Sequence, residues 1–368
     1  MEPLTSLSPT SRRGFLRQTG LGLAALTLRP LVPPLLAGAM NPSFRARTPR
    51  ALVLIHLEGG HDDLSTFVPL GDERYRRLRP KLALPRSRVI PLTPTLALNR
   101  AGAALEPLFK DGKLALVQNL ACAQPSLSHY RAAEIWHTGS GSDERLYSGW
   151  AAGALTALSA EGRPVSAYHA GTMRPRVFQD GPQCIETGNT GARSGGIASS
   201  SRALNSRDPL SALGEISRKA GDTGGDEIYF ITVPGFDTHA MQAEIHDARL
   251  WTFSEALAAF QRQLARRGVE DRVLTLAFTE FGRSAEENAQ GGTDHGVSSS
   301  ALLLGGGIRG GVYHRPRGFA DASEPMEAPM DFRRIVRVAA CDWLGAPASR
   351  VFARDPGDVA GLHVPRFS

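Results

Sequence analysis

Val273-Leu274-Thr275-Leu276-Ala277-Phe278 is a nearly continuous apolar run that stops at a carboxylate, in Thr279-Glu280-Phe281-Gly282-Arg283. Further on, Gly291-Gly292-Thr293-Asp294-His295-Gly296 holds an acid and a histidine between glycines, and a second apolar run, Ala301 to Leu304, follows at once. A run of this kind reads as a strand buried on both faces, as in a parallel sheet. A carboxylate closing one strand and a histidine preceding the next is how an open α/β sheet presents ligands to a cleft.

Working outward, the same pattern recurs. Ala51 to Leu57, Leu114 to Val117 and Ile228 to Val233 are buried strands, and the last strand is expected over Ala301 to Ile308. Leu105 to Phe109 reads as a short helix, a helix opens at Ser126 to His129, and Asp72 to Pro80 reads as a charged surface stretch. Phe253, Leu257, Phe260 and Leu264 share one face of a helix that Gly268 is placed to end. A last helix starts at Asp331, a plausible N-cap, and turns Phe332, Ile335, Val336, Ala339 and Trp343 inward. Strands alternating with helices predict a three-layer α/β/α sandwich on a mostly parallel sheet. Residues 186–226, rich in Gly, Ser, Thr and Arg, are expected to form a flexible excursion within one domain spanning 40–368.

The chain has 368 residues, ample for one large α/β domain, and its net charge is +6. Half of that excess sits in the first 39 residues, where Arg12, Arg13, Arg17 and Arg29 oppose only Glu2. With no basic cluster interleaved with aromatics, nucleic-acid binding is excluded as a leading class. Residues 1–39 combine a basic start, a short apolar run from Gly20 to Leu28 and Ala37-Gly38-Ala39, the makeup of a signal peptide. Arg12-Arg13-Gly14-Phe15-Leu16 resembles a twin-arginine signal, which implies the Tat translocase as a partner during export and a periplasmic or otherwise exported product. No later stretch has the twenty or so apolar residues that a membrane span needs, so no transmembrane segment is expected in the mature protein. Cys122, Cys184 and Cys341 are too far apart and too few for a disulfide framework or a thiolate zinc site.

The residues placed at strand ends are Asp62 (with Asp63 beside it), Asp237, His239, Glu280, Asp294 and His295. Carboxylates mixed with imidazoles suit zinc, manganese or iron, one ion or two, rather than an all-oxygen calcium or magnesium site. Asp237 and His239, two apart in extended chain, point the same way. Ser128 is read either as an N-cap or as a nucleophile at the positive end of a helix, where a phosphate or sulfate is stabilised. Arg283 is read either as a bidentate partner of an anionic substrate or as the partner of a neighbouring acid. Gly305-Gly306-Gly307-Ile308-Arg309-Gly310-Gly311 lacks the Gly-Lys-Ser/Thr of a phosphate loop.

Taken in order, Gly59-Gly60-His61-Asp62-Asp63-Leu64-Ser65-Thr66, Ser128-His129-Tyr130, Gly149-Trp150, Phe236-Asp237-Thr238-His239, Glu280-Phe281-Gly282-Arg283, Gly292-Thr293-Asp294-His295-Gly296 and Asp331-Phe332-Arg333 resemble the DUF1501 family, related to the alkaline phosphatase and sulfatase superfamily. The resemblance implies an alkaline phosphatase-like fold, with Asp62 in the first-strand ligand position, Ser128 in the nucleophile's place and Asp237 and His239 on one metal. Two alignments fit the remainder. Either Asp294-His295 is the superfamily's Asp-His pair, or Glu280 supplies the acid and His295 is the final histidine; the strand leading into Glu280 favours the second. The implied activity is metal-dependent hydrolysis of an anionic phosphate or sulfate ester. The rival class is a non-catalytic envelope protein that binds a partner on the same fold.

Overall fold

The computed structural model describes residues 48–170, 173–179, 201–204, 208–314 and 329–362. The leader expected over residues 1–39, Cys184 and most of the stretch from 186 to 207 lie outside them. The described residues from Pro49 onward belong to one compact unit.

The strands that position the site are, in chain order, β1 (Ala51–Leu57), β2 (Leu114–Ala121), β3 (Val165–His169), β4 (Ser201–Ala203), β5 (Asp226–Val233) and β6 (Val273–Phe278). They continue with β7 (Gly282–Glu287), β8 (Thr293–Gly296), β9 (Ser299–Gly305), β10 (Gly311–Tyr313) and β11 (Met330–Asp331). Strands β7 and β8 form a separate antiparallel hairpin; the other nine make one sheet in the order β10-β2-β9-β6-β1-β5-β3-β4, with β11 beside β2. Three short segments between β1 and β2 (Phe67–Pro69, Val89–Thr93 and Leu96–Asn99) pair as a small antiparallel sheet of their own. At the centre of the main sheet β1 pairs in parallel with both neighbours, Leu54 standing opposite Phe230 and Leu276. All seven residues of β1 are buried, as its unbroken apolar run requires. One strand departs from the parallel layout: β9 runs antiparallel to both β2 and β6. The hairpin, rather than a helix, links β6 to β9, and without a helical crossover the chain returns in the opposite direction.

Helices cover both faces. On one lie α1 (His129–Thr138), α2 (Trp150–Ala160) and a C-terminal helix; on the other lie α3 (Pro209–Lys219) and α4 (Gln242–Arg266). The C-terminal helix, α5 (Arg333–Arg337), continues as a π-helical turn over Val338–Trp343. Phe253, Leu257, Phe260 and Leu264 of α4 pack on Val53, Ile55, Tyr229 and Ile231, while Ile135, Trp136, Ile335 and Trp343 pack on Leu54, Phe230 and Leu276. Each such aliphatic or aromatic side chain contributes on the order of 2 kcal/mol on burial. The layout is the expected three-layer α/β/α sandwich. Within the stretch expected to be a flexible excursion, 186–226, the described part holds an edge strand, Ser201–Ala203, followed by α3. Asp208 caps that helix by accepting from Ser211 N–H at 2.8 Å, and Ala212, Leu213 and Ile216 recur at helical spacing on its buried face. The stretch from Asp72 to Pro80 is likewise structural: Glu73–Leu78 is helical and Arg79 is completely buried.

Candidate metal centre

Three loops leave the sheet along one edge, after β1, β5 and β6. The first two run close together: Glu58 N–H donates to Val233 O at 2.9 Å and Phe236 N–H to Glu58 O at 3.1 Å. Gly59 sits where they cross, with φ +118°, and a Cβ there would stand 2.3 Å from Asp237 N. No residue but glycine tolerates both the conformation and the approach. Arg283, at the start of the hairpin, fastens the arrangement. Its buried guanidinium donates to Gly60 O (2.8 Å), Thr293 O (3.0 Å), Phe236 O (3.1 Å), Gly59 O and the Asp237 carboxylate. The anion-holding role considered for Arg283 is therefore not the one it plays, because its donors are engaged within the protein. It ties three loops and aims Asp237.

Around Asp237 the histidines converge. His295 Nδ1 lies 2.8 Å from the Leu127 carbonyl, which can only accept, so that nitrogen carries the proton. His129 Nδ1 donates in the same way to Glu280, at 2.8 Å. In the neutral rings each Nε2 is then a bare lone pair, and each points at a carboxylate: His295 Nε2 is 3.3 Å and His129 Nε2 3.4 Å from Asp237 oxygens. His129 Nε2 is shielded from solvent and has no hydrogen-bond partner. His239 Nε2 adds to the group, 3.0 Å from Asp237 and 2.9 Å from His295 Nε2. Arg283 Nη1, which can only donate, stands 3.3 Å from this nitrogen, so Nε2 accepts and the proton sits on Nδ1, 3.6 Å from Asp294.

Facing lone pairs repel, and a divalent cation among them replaces repulsion with coordination. Tetrahedral bonds of 2.0–2.1 Å place ligand atoms about 3.3 Å apart, close to the spacing here. One donor atom each from His129, Asp237 and His295 lies within 4.8 Å of the others. Imidazole nitrogens with one carboxylate fit zinc, manganese or iron. Burial pushes the Asp237 carboxyl up, but the hydrogen bond and charge of Arg283 outweigh it and hold it ionised below the usual range. The Phe281 ring packs on both His129 and His295, centroids 4.7 and 4.5 Å away, and fixes their planes.

The other expected ligands are placed differently. Asp62 is sealed away from the cluster: it accepts from Leu64 N–H (3.2 Å), Ser65 Oγ (2.6 Å), both terminal nitrogens of Arg79 (2.6 and 3.1 Å) and Gln242 Nε2. Burial raises its proton affinity, yet the Arg79 charge drives it well below the carboxylate range, so Asp62 anchors the loop and does not ligate. Asp63, beside it, is pushed up to about 6 by burial, and takes a 3.1 Å hydrogen bond from Gln118. Glu280 is buried and its two oxygens are filled, one by His129 and Gly59 N–H (2.9 Å), the other by His56 Nε2 (2.9 Å) and Thr279 Oγ (3.1 Å). Its oxygens are thus engaged within the protein, as those of a carboxylate behind a metal-bound histidine commonly are. Burial opposes its charge, but the His56 and His129 hydrogen bonds keep it ionised well below the usual range. Asp294 is exposed and touches the group only through His239 and Asn288 (3.3 Å). Ser128 is exposed and holds the N-cap position of α1, as one of its two readings expects, but its hydroxyl makes no cap hydrogen bond. Sequence reasoning passed over His129 and His56. His129 stood in view beside Ser128, and a histidine at a helix start facing a strand-end carboxylate was the available signal.

Residues 222–332 match the model of a family described as "Protein of unknown function (DUF1501)", a span holding Asp237, His239, Glu280, Arg283 and His295 but not His129. A search of curated proteins finds no match. Among solved structures the chain is similar to the zinc complex of the C-terminal periplasmic domain of EptC from Escherichia coli: 11% identity, TM-score 0.38, 71% of this chain and 74% of that one. It is similar also to the lipoteichoic acid synthase LtaP from Listeria monocytogenes (9%, TM-score 0.41, 84% and 75%). A third is a protein in the alkaline phosphatase superfamily from Vibrio parahaemolyticus (11%, TM-score 0.35, 72% and 62%). Likenesses at this level leave the chemistry to the site itself.

Proposed function

We propose that the protein is an exported, metal-dependent hydrolase of phosphate or sulfate esters, with His129, Asp237 and His295, joined by His239, holding one zinc, manganese or iron ion. The observation that carries this reading is the convergence of tautomer-fixed Nε2 lone pairs on the Asp237 carboxylate. A divalent ion held there supplies Lewis acidity, which polarises an ester oxygen and lowers the proton affinity of a nearby hydroxyl. The rest falls to the chain. Ser128 presents its hydroxyl beside His129 at the positive end of α1, where an anionic group is stabilised. Its oxygen attacks phosphorus or sulfur, the bond to the ester oxygen breaks, and the departing alcohol takes up a proton equivalent to the one the serine loses. Water then releases the anion from the serine. Export through the Tat translocase, cleavage near residue 39 and a periplasmic location rest on the leader sequence and belong to the same proposal.

Metal analysis of purified protein, followed by aryl phosphate and aryl sulfate assays with a Ser128→Ala control, tests it. Stoichiometric metal with Ser128-dependent turnover is expected. Metal without turnover leaves a binding protein on the same fold; neither metal nor turnover after reconstitution overturns the proposal. Among the described residues no helix is long and apolar enough to cross a membrane.

A further inference from the structure

Among the described residues, three buried side-chain oxygens have no hydrogen-bond partner, and they belong to neighbours: Asp63 Oδ1, Gln118 Oε1 and Ser300 Oγ. Gln118 is 5% exposed and Ser300 8%. A bulge brings these two together. Ser299 pairs with Leu120 and Ala301 with Val117, so Ser300 of β9 stands opposite both Gln118 and Asn119 of β2, and Asn119 takes up the extra length at φ +56°. Gln118 continues the Leu114, Leu116 side of β2 and Ser300 the Leu302, Leu304 side of β9, the sheet face that α4 covers. Asp63 meets them from the turn after β1. Its Oδ2 accepts from Gln118 Nε2 at 3.1 Å, and the Ser300 hydroxyl lies close enough to lower its proton affinity while making no hydrogen bond of normal geometry.

The three atoms do not satisfy one another. The bond to Asp63 fixes the Gln118 amide, since turning it would set Oε1 against a carboxylate oxygen, so Oε1 stays an acceptor. Burial pushes the Asp63 carboxyl up to about 6, which leaves it mostly ionised at neutral pH. Arg79, the cation that acts on it, is engaged through both terminal nitrogens with Asp62. A buried charge of this kind persists only when it is paired or coordinated. A water molecule would satisfy the three oxygens but leave the charge, and a proton would cancel the charge but join only two of the oxygens. One small cation does both. Carboxylate, amide and hydroxyl oxygens are the donors of a hard ion, and one uncompensated negative charge calls for one positive charge. We infer that Asp63, Gln118 and Ser300 bind a single alkali cation, which clamps the turn after β1 to β2 and β9. This site uses none of the cluster histidines and does not depend on the hydrolase reading.

Urea unfolding of the whole protein in sodium, potassium or choline chloride at equal ionic strength tests this. The midpoint should rise with sodium or potassium and then level off, and it should not rise with choline. Asp63→Asn keeps the size of the side chain and gives Gln118 Oε1 a donor without a charge, so its midpoint should be the same in all three salts. Ser300→Ala removes one donor oxygen from a small side chain and should need more salt for the same rise. Equal midpoints of the native protein in alkali and choline salts overturn the inference, as does an alkali response that survives Asp63→Asn or is unchanged in Ser300→Ala. A midpoint that ignores the salts but falls as pH rises through about 6 gives the place to a proton, and an Asp63-dependent rise with calcium chloride alone gives it to a divalent ion. Either result overturns it too.

Discussion

Replacing Glu280 by glutamine removes one charge and almost no volume, and it isolates what the carboxylate does for the proposed metal site. In the native protein Oε1 accepts from His129 Nδ1 and Gly59 N–H, and Oε2 accepts from His56 Nε2 and Thr279 Oγ. The glutamine oxygen can keep the first pair, so His129 stays in place and Gly59 keeps its acceptor. The amide nitrogen then faces His56, which accommodates it by moving its own proton to Nδ1. Geometry survives, but His129 loses the anion that makes its Nε2 a stronger donor. Loss of such a partner weakens metal binding by about 10- to 100-fold, or roughly 1.4–2.7 kcal/mol. Chelator competition on the reconstituted protein measures this directly, with circular dichroism to confirm that the fold is kept. Glu280→Ala should do more harm, because the buried Gly59 N–H then lacks an acceptor, at a cost of about 1–3 kcal/mol in stability. A Glu280→Gln protein that binds metal within two-fold of the native affinity would refute the reasoning, and Glu280 would be a structural residue only.

Three further outcomes follow from the geometry. Gly59→Ala forces a left-handed non-glycine residue and a Cβ 2.3 Å from Asp237 N; a destabilisation on the order of 2–3 kcal/mol in urea unfolding and a loss of metal are expected. Arg283→Lys keeps a charge but cannot reach Gly59, Gly60, Phe236 and Thr293 carbonyls together, so it should cost on the order of 3 kcal/mol and weaken metal binding through a loosened Asp237. Acid should destabilise the fold. Burial lowers His61 and His137 from 6.5 to about 3, so the unfolded chain binds the extra protons and their stabilisation, complete above 6.5, is lost as pH falls toward 3. Asp63, raised from 3.8 to about 6, works the other way, binding its proton in the folded state across that window. Two groups against one leave a net slope of at least about 1.4 kcal/mol per pH unit between pH 4 and 6, which His137→Phe should reduce by one proton's worth.

The elements were legible where burial writes itself into the sequence. Strands β1, β5 and β6 are apolar without alternation because both faces are covered, and α4 shows its buried face at helical spacing. The direction of β9 was not legible, since it depends on the hairpin and not on the strand's own residues. Helix α3 was masked by the Gly/Ser-rich composition just before it, although Asp208-Pro209 is a good start signal. At the site, sequence brought the right loops to the right edge but could not say which carboxylates are free. Asp62 and Glu280 look like ligands because both end strands. They are closed by Arg79, Gln242 and His56, and those contacts are set by tertiary packing across as many as 224 positions.

This difference between a carboxylate that is reached and one that is free explains the rigidity of the edge. Asp237 is half exposed and could turn into solvent, and the Nε2 atoms of His129 and His295 stand 3.4 and 3.3 Å from its oxygens. Such a convergence persists only if each member is held from behind, and each one is. Glu280 holds His129, the Leu127 carbonyl holds His295, and Arg283 holds Asp237 while closing the loops after β1 and β5 around Gly59. The buried Asp62–Arg79 pair acts in the same way a layer further back, since Arg79 also donates to Ser284 O and Ala285 O of β7. The strand-end acids therefore divide into two kinds. Asp237 faces the centre, and Asp62 and Glu280 keep the frame from relaxing away from it.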